Sequence, residues 1–166
     1  MPDDAATNTQ PVGGHSSFKN TTLGGVRDFA QTLHTHVKES ATLHRILLVE
    51  DDVTLANLEA DILTARGYVV SLATSGETAI MALHQNIPDL VLLDLDLSGA
   101  TTGWDVFKVL RSYSSAPVLL TSAKSTIRSY IRRQGEPRST LDHLPKPYPL
   151  QALLKRIERM LAITPQ

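Results

Sequence analysis

At 166 residues, with 42% hydrophobic side chains and a formal net charge of −1, the chain can fill one globular core. It lacks the basic excess of a surface built for nucleic acid. It has no cysteine, which excludes disulfides and thiolate metal sites and fits a reducing, cytoplasmic home. The N-terminus carries Asp3 and Asp4 with no apolar h-region, and no apolar run nears the roughly 20 residues of a membrane span.

Residues 1–22 are rich in Thr, Ser, Asn, Gly, Asp and Pro, a composition that predicts a disordered tail. Residues 23–42 are expected to form an amphipathic helix and linker, since Val26, Phe29, Ala30, Leu33 and Val37 follow helical spacing. His34 and His36 lie two apart, do not share a helix face, and make a poor metal pair. From residue 43 onward short apolar runs alternate with helical patterns. Strands are expected at 45–49, 68–73, 89–93, 117–121 and 141–144. Helices are expected at 54–66, stopped by Gly67, and then up to 85, at 103–111, at 125–133 and at 149–163. Thr74 and Glu77 are a candidate capping box for the second of these helices.

This alternation implies an α/β fold, a (βα)5 doubly wound parallel sheet of flavodoxin-like strand order 2-1-3-4-5, with an extra N-terminal helix. In that order the carboxyl ends of the first and third strands are neighbours at the topological switch point. The first strand runs into Glu50, Asp51 and Asp52, and the third into Asp94 and Asp96. The fourth ends in Thr121 and Ser122, and the fifth leads to Lys146. Packed carboxylates repel unless a cation joins them, and a hard divalent ion is the natural occupant. A carboxylate beside such an ion can act as a nucleophile toward a phosphodonor, giving an acyl phosphate. A single acid after a buried strand is usually a solvated loop end. Two such strands, with a hydroxyl and an ammonium on their partners, are much harder to obtain by chance.

Residues 49–52 (VEDD), 92–94 (LLD), 117–123 (PVLLTSA) and 144–148 (LPKPY) together resemble the signature blocks of the bacterial two-component response-regulator receiver domain. The resemblance covers residues 43–163, and the expected receiver domain spans 43–166. It implies Asp94 as phosphoacceptor, with Lys146 and Ser122 serving the transferred phosphoryl group. It implies Mg²⁺ (or Mn²⁺) held by Asp51, Glu50, Asp94 and the backbone carbonyl of Asp96. It also implies a cis peptide at Lys146–Pro147 and, for the switch, Ser122 with the residue at 143. Thr121 is a fallback for the hydroxyl role.

The chain departs from the family pattern at His143, where the family places Tyr or Phe. Either His143 rotates as the switch, or it is an exposed polar residue at a strand edge. Residues 124–138 carry Lys124, Arg128, Arg132, Arg133 and Arg138 against one acid, Glu136, which reads either as a solvated face or as a surface for an anionic partner. The implied partners are a histidine kinase or histidine phosphotransfer protein and a downstream protein, with no direct DNA binding and no membrane. The apolar stripe of the N-terminal helix itself needs cover, from its own receiver domain, from a second copy in a homodimer, or from a partner. The chain is expected to act as a CheY-like, single-domain regulator, since little sequence follows the last helix. It is not expected to be an enzyme beyond its own phosphorylation and dephosphorylation. Two rivals remain, a haloacid-dehalogenase-like phosphatase built on Asp94 and Asp96, and a phosphate-independent pseudo-receiver.

Overall fold

The computed structural model of the chain describes residues 43–163. The tail and helix expected over 1–42 therefore lie outside the described residues. Five strands, β1 (Arg45–Val49), β2 (Val69–Ala73), β3 (Leu90–Asp94), β4 (Val118–Ser122) and β5 (Leu141–Pro145), form one parallel sheet in the order β2-β1-β3-β4-β5. Between and after them run α1 (Val53–Ala65), α2 (Gly76–Gln85), α3 (Gly103–Arg111), α4 (Ile127–Gln134) and α5 (Leu150–Ile163). The expected strand order is the observed one.

Successive side chains of a strand point to opposite faces, so apolar runs buried on both sides need two helical layers. Leu47, Val49, Val91, Leu93, Val118 and Leu120 face Leu83 of α2 and Val106, Phe107 and Leu110 of α3. Ile46, Leu48, Leu90, Leu92 and Leu119 face Leu63 of α1 and Leu153, Ile157 and Met160 of α5. All of β3 and β4 is buried, whereas the edge strand β2 is largely exposed.

Local signals set the helix starts. Asp52, third of the acidic run, is the N-cap of α1, accepting from the amides of Thr54 (2.9 Å) and Leu55 (3.1 Å). Gly67, at φ 89°, ends that helix in the left-handed region that favours glycine. The capping box expected from Thr74 and Glu77 is not formed. Ser75 is the extended N-cap of α2, its hydroxyl accepting from the Thr78 amide at 3.2 Å while Thr78 answers its backbone. Glu77 is directed elsewhere, accepting from the Thr101 amide at 3.1 Å. The fourth helix starts at Ile127, two residues later than expected, with no side-chain cap on Thr126.

Candidate functional site

Because β1 and β3 are adjacent and in register, Val49 pairs with Leu93 and the residues that follow emerge side by side. Carboxylate oxygens of Glu50, Asp51 and Asp94 lie within 4.8 Å of one another. Lys146, delivered from the end of β5, places Nζ 2.6 Å from Glu50 Oε2 and 2.7 Å from Asp94 Oδ2. Asp94 is only 3% exposed, and its Oδ1 accepts from the Asp96 amide at 2.8 Å. Glu50, equally dry, accepts from the Asp52 amide at 3.2 Å. The peptide bond Lys146–Pro147 is cis, as the resemblance implies.

The electrostatics follow from burial and neighbours. Burial pushes the Glu50 carboxyl above its ordinary range, with the Asp94 charge adding to that and Lys146 opposing it. Burial alone would depress Lys146, yet its bonds to Asp94 and Glu50 outweigh it and hold the ammonium above its ordinary value. Asp51 is more exposed and is held below the usual carboxylate range by Ser98, whose hydroxyl and amide donate to Oδ2 at 2.5 and 2.8 Å. Ser98→Ala should therefore raise the Asp51 pKa toward the ordinary 3.8, readable by carbon NMR titration of its carboxyl. A depressed folded pKa adds stability above the unfolded value, which is lost as pH falls through the folded value. The variant's deficit should accordingly disappear in acid, and an unmoved Asp51 titration would show that Ser98 does not hold it.

Ser122 and Asp96 are brought together rather than to Asp94. Ser122 Oγ donates to Asp96 Oδ2 at 2.8 Å, the Ala123 amide donates to the same oxygen at 2.9 Å, and Lys124 Nζ lies 3.2 Å from Oδ1. Burial works against the Asp96 anion, but these donors outweigh it and keep its pKa below the ordinary value. Thr121 pairs across the sheet with Asp94 and is buried. His143 is 5% exposed, so the reading of it as an exposed strand-edge residue is corrected: α4, α5 and the 135–140 loop enclose it.

Sequence reasoning missed three supporting residues. Ser98 carries no local signal of its bond to Asp51, 47 positions away. Glu59 of α1 is buried and accepts from the Tyr148 hydroxyl at 2.7 Å, a bond that fixes the turn after Lys146. Burial drives both of these groups toward their neutral forms. Gly103, at the start of α3, has no room for a Cβ, which would sit 2.3 Å from the Asp94 carbonyl oxygen and 2.6 Å from Leu95 Cα. Gly103→Ala should therefore cost about 2 kcal/mol through forced backbone movement at the acidic site. A thermal midpoint equal to that of the unaltered chain would refute this account of Gly103.

A sequence profile described as the response regulator receiver domain matches residues 46–158. The DNA-binding response regulator MtrA of Mycolicibacterium paratuberculosis is 34% identical over 117 residues, covering 70% of this chain and 51% of that protein. The transcriptional regulatory protein BaeR of Escherichia coli is also 34% identical, over 70% of this chain and 48% of its own length. This chain thus spans about half the length of the curated relatives it matches. The crystal structure of the receiver domain of NtrX from Brucella abortus superposes with a TM-score of 0.61 at 28% identity, covering 72% of this chain and 99% of that one.

Proposed function

Since the chain belongs to the response-regulator receiver family, we propose that it accepts a phosphoryl group on Asp94 from a histidine kinase or histidine phosphotransfer protein, in a Mg²⁺-dependent reaction. The observation that carries this reading is the environment of Asp94. Its carboxylate is dry, bonded by Lys146 and the Asp96 amide, and clustered with the oxygens of Glu50 and Asp51. Three hard carboxylate oxygens so close together suit a small divalent cation, with Mn²⁺ as a substitute, and the carbonyl of Asp96 is the further proposed donor. When bound, that ion neutralises the carboxylates and draws charge from phosphoryl oxygens.

An Asp94 carboxylate oxygen attacks phosphorus, an O–P bond forms, and the donor's N–P bond breaks, its electron pair staying on the departing imidazole, which takes a proton from solvent. Lys146 is placed to hold charge on the transferred group. Ser122 would reach that group only by giving up its bond to Asp96, which makes this exchange, together with His143, the proposed switch. The chain acts only on its own acyl phosphate, and its signal passes through protein contacts in the cytoplasm. No helix among the described residues is long and apolar enough to cross a membrane.

The test is incubation with acetyl phosphate and Mg²⁺ followed by intact mass. A single added phosphoryl group, absent when EDTA replaces Mg²⁺, is the expected result. No adduct would point to a phosphate-independent pseudo-receiver, and steady turnover of phosphate esters to a phosphatase.

A further inference from the structure

Away from the acidic site, a cavity of 440 Å³ lies among α4, β5 and α5. Its wall includes Arg128 and Arg132 of α4, Arg138 of the following loop, His143 of β5 and Arg156 of α5. Two acids also line it, and both are already engaged. Glu136 is held in a fork by Arg111, through Nε at 3.1 Å and Nη2 at 3.0 Å. Asp142 accepts from both Arg156 and Arg159. Arg128, Arg132 and Arg138 have no ion pair among the described residues. Arg128 and Arg132 are one helical turn apart, so their guanidinium groups share a face of α4.

His143 supplies an independent observation. It is 5% exposed, it lines the cavity, and neither Nδ1 nor Nε2 reaches hydrogen-bond geometry with a partner, although the Ser122 backbone lies near the ring and acts on its charge. A dried imidazole without a partner is an unusual expense in a folded protein, and buried polar groups are normally satisfied. The cavity that His143 lines carries Arg128, Arg132, Arg138 and Arg156 in its wall. Guanidinium forks match phosphoryl oxygens two at a time, and the volume falls in the range of small-molecule sites, roughly 300 to 1,000 Å³.

The geometry points to a second ligand site: this cavity binds a small phosphorylated molecule, its oxygens taken by Arg128, Arg132 and Arg138 and one hydrogen bond donated by His143. Burial pushes the His143 pKa below its ordinary value, and the charges of Arg128 and Arg156 push the same way, against the Ser122 backbone and Asp142. Arg132 and Arg138 add positive charge to the same wall, and Glu136 offsets part of it from within its fork with Arg111. A bound phosphoryl group would reverse that balance and favour the imidazolium. Affinity should therefore rise as pH falls toward the titration of His143.

Calorimetric titration of the whole chain with pyrophosphate, without Mg²⁺, tests this directly, alongside nitrogen NMR of the His143 ring. One binding event and a shifted ring signal are expected. The double variant Arg128→Gln, Arg132→Gln alters two exposed side chains and should keep the circular dichroism spectrum while weakening binding at least about tenfold. His143→Phe should remove the rise in affinity at low pH, leaving only the dependence set by the protonation of pyrophosphate itself. Absence of binding, or unchanged affinity in the double variant, would overturn the proposal. So would tighter binding of a hexaglutamate peptide than of pyrophosphate, which would assign the cavity to an acidic protein segment. None of these readouts involves Asp94, so phosphorylation and cavity binding stand or fall separately.

Discussion

Asp94→Asn is expected to remove the phosphoryl adduct completely while changing stability by no more than about 1 kcal/mol. The loss of the adduct follows from chemistry, because a carboxamide oxygen is too weak a nucleophile to replace the carboxylate. The small stability change follows from cancellation. The carboxylates of Glu50, Asp51 and Asp94 crowd within 4.8 Å, so removing one charge relieves repulsion and lets the Glu50 pKa fall. Against this, Lys146 loses one partner but keeps Glu50 at 2.6 Å. The isosteric amide also retains a group to meet the Asp96 amide and Lys146, though it cannot accept from both equally well. Intact mass after acetyl phosphate treatment and urea denaturation read the two effects. A surviving adduct would move the acceptor to Glu50 or Asp51.

The fold and the acidic site were legible in the sequence for one physical reason. A parallel sheet buried on both faces forces continuous apolar runs, and such runs end where the chain returns to polar residues. Runs ending in Glu50 and in Asp94 could therefore be placed side by side without any contact being seen, and Lys146 followed from the fifth run. What the runs do not carry is side-chain pairing between distant loops. Ser98 on Asp51, Tyr148 on Glu59, and Ser122, Ala123 and Lys124 on Asp96 are bonds of this kind. Asp96 shows the point most clearly, since the expectation gave it only a backbone role while its side chain accepts from Ser122 and Ala123 and forms an ion pair with Lys124. The capping box was misplaced because Thr74 and Ser75 are adjacent hydroxyls, and only the backbone angles at Ser75 select between them. His143 was ambiguous because a polar residue in a sheet-edge strand is exposed or buried according to what covers it. That cover comes from α4, α5 and the 135–140 loop, whose Arg-rich composition gives no sign of enclosing anything.

Lys146→Met should be the most damaging single change at the site. Glu50 and Asp94 side chains are each 3% exposed, and Lys146 Nζ is the cation that bonds both. Methionine preserves the length of the side chain and removes the charge, leaving two dry carboxylates to repel each other. Stranding a buried charge in this way typically costs about 3–5 kcal/mol. The pH dependence identifies the cause. In the unaltered chain Lys146 has a raised pKa, so its contribution is present below its unfolded value near 10.5 and is lost only as pH rises through the folded value. In the variant, Glu50 loses the partner that opposes the effect of burial, and its pKa climbs further. A carboxylate with a raised folded pKa costs stability once pH exceeds the unfolded value near 4.5, and that cost disappears when it is protonated. The variant's deficit should thus be large at about pH 7 and shrink toward about pH 4. Millimolar Mg²⁺ should restore part of the stability at neutral pH by supplying the missing positive charge, without restoring a full rate of adduct formation. A deficit that is independent of both pH and Mg²⁺ would mean that Lys146 acts by packing rather than by charge.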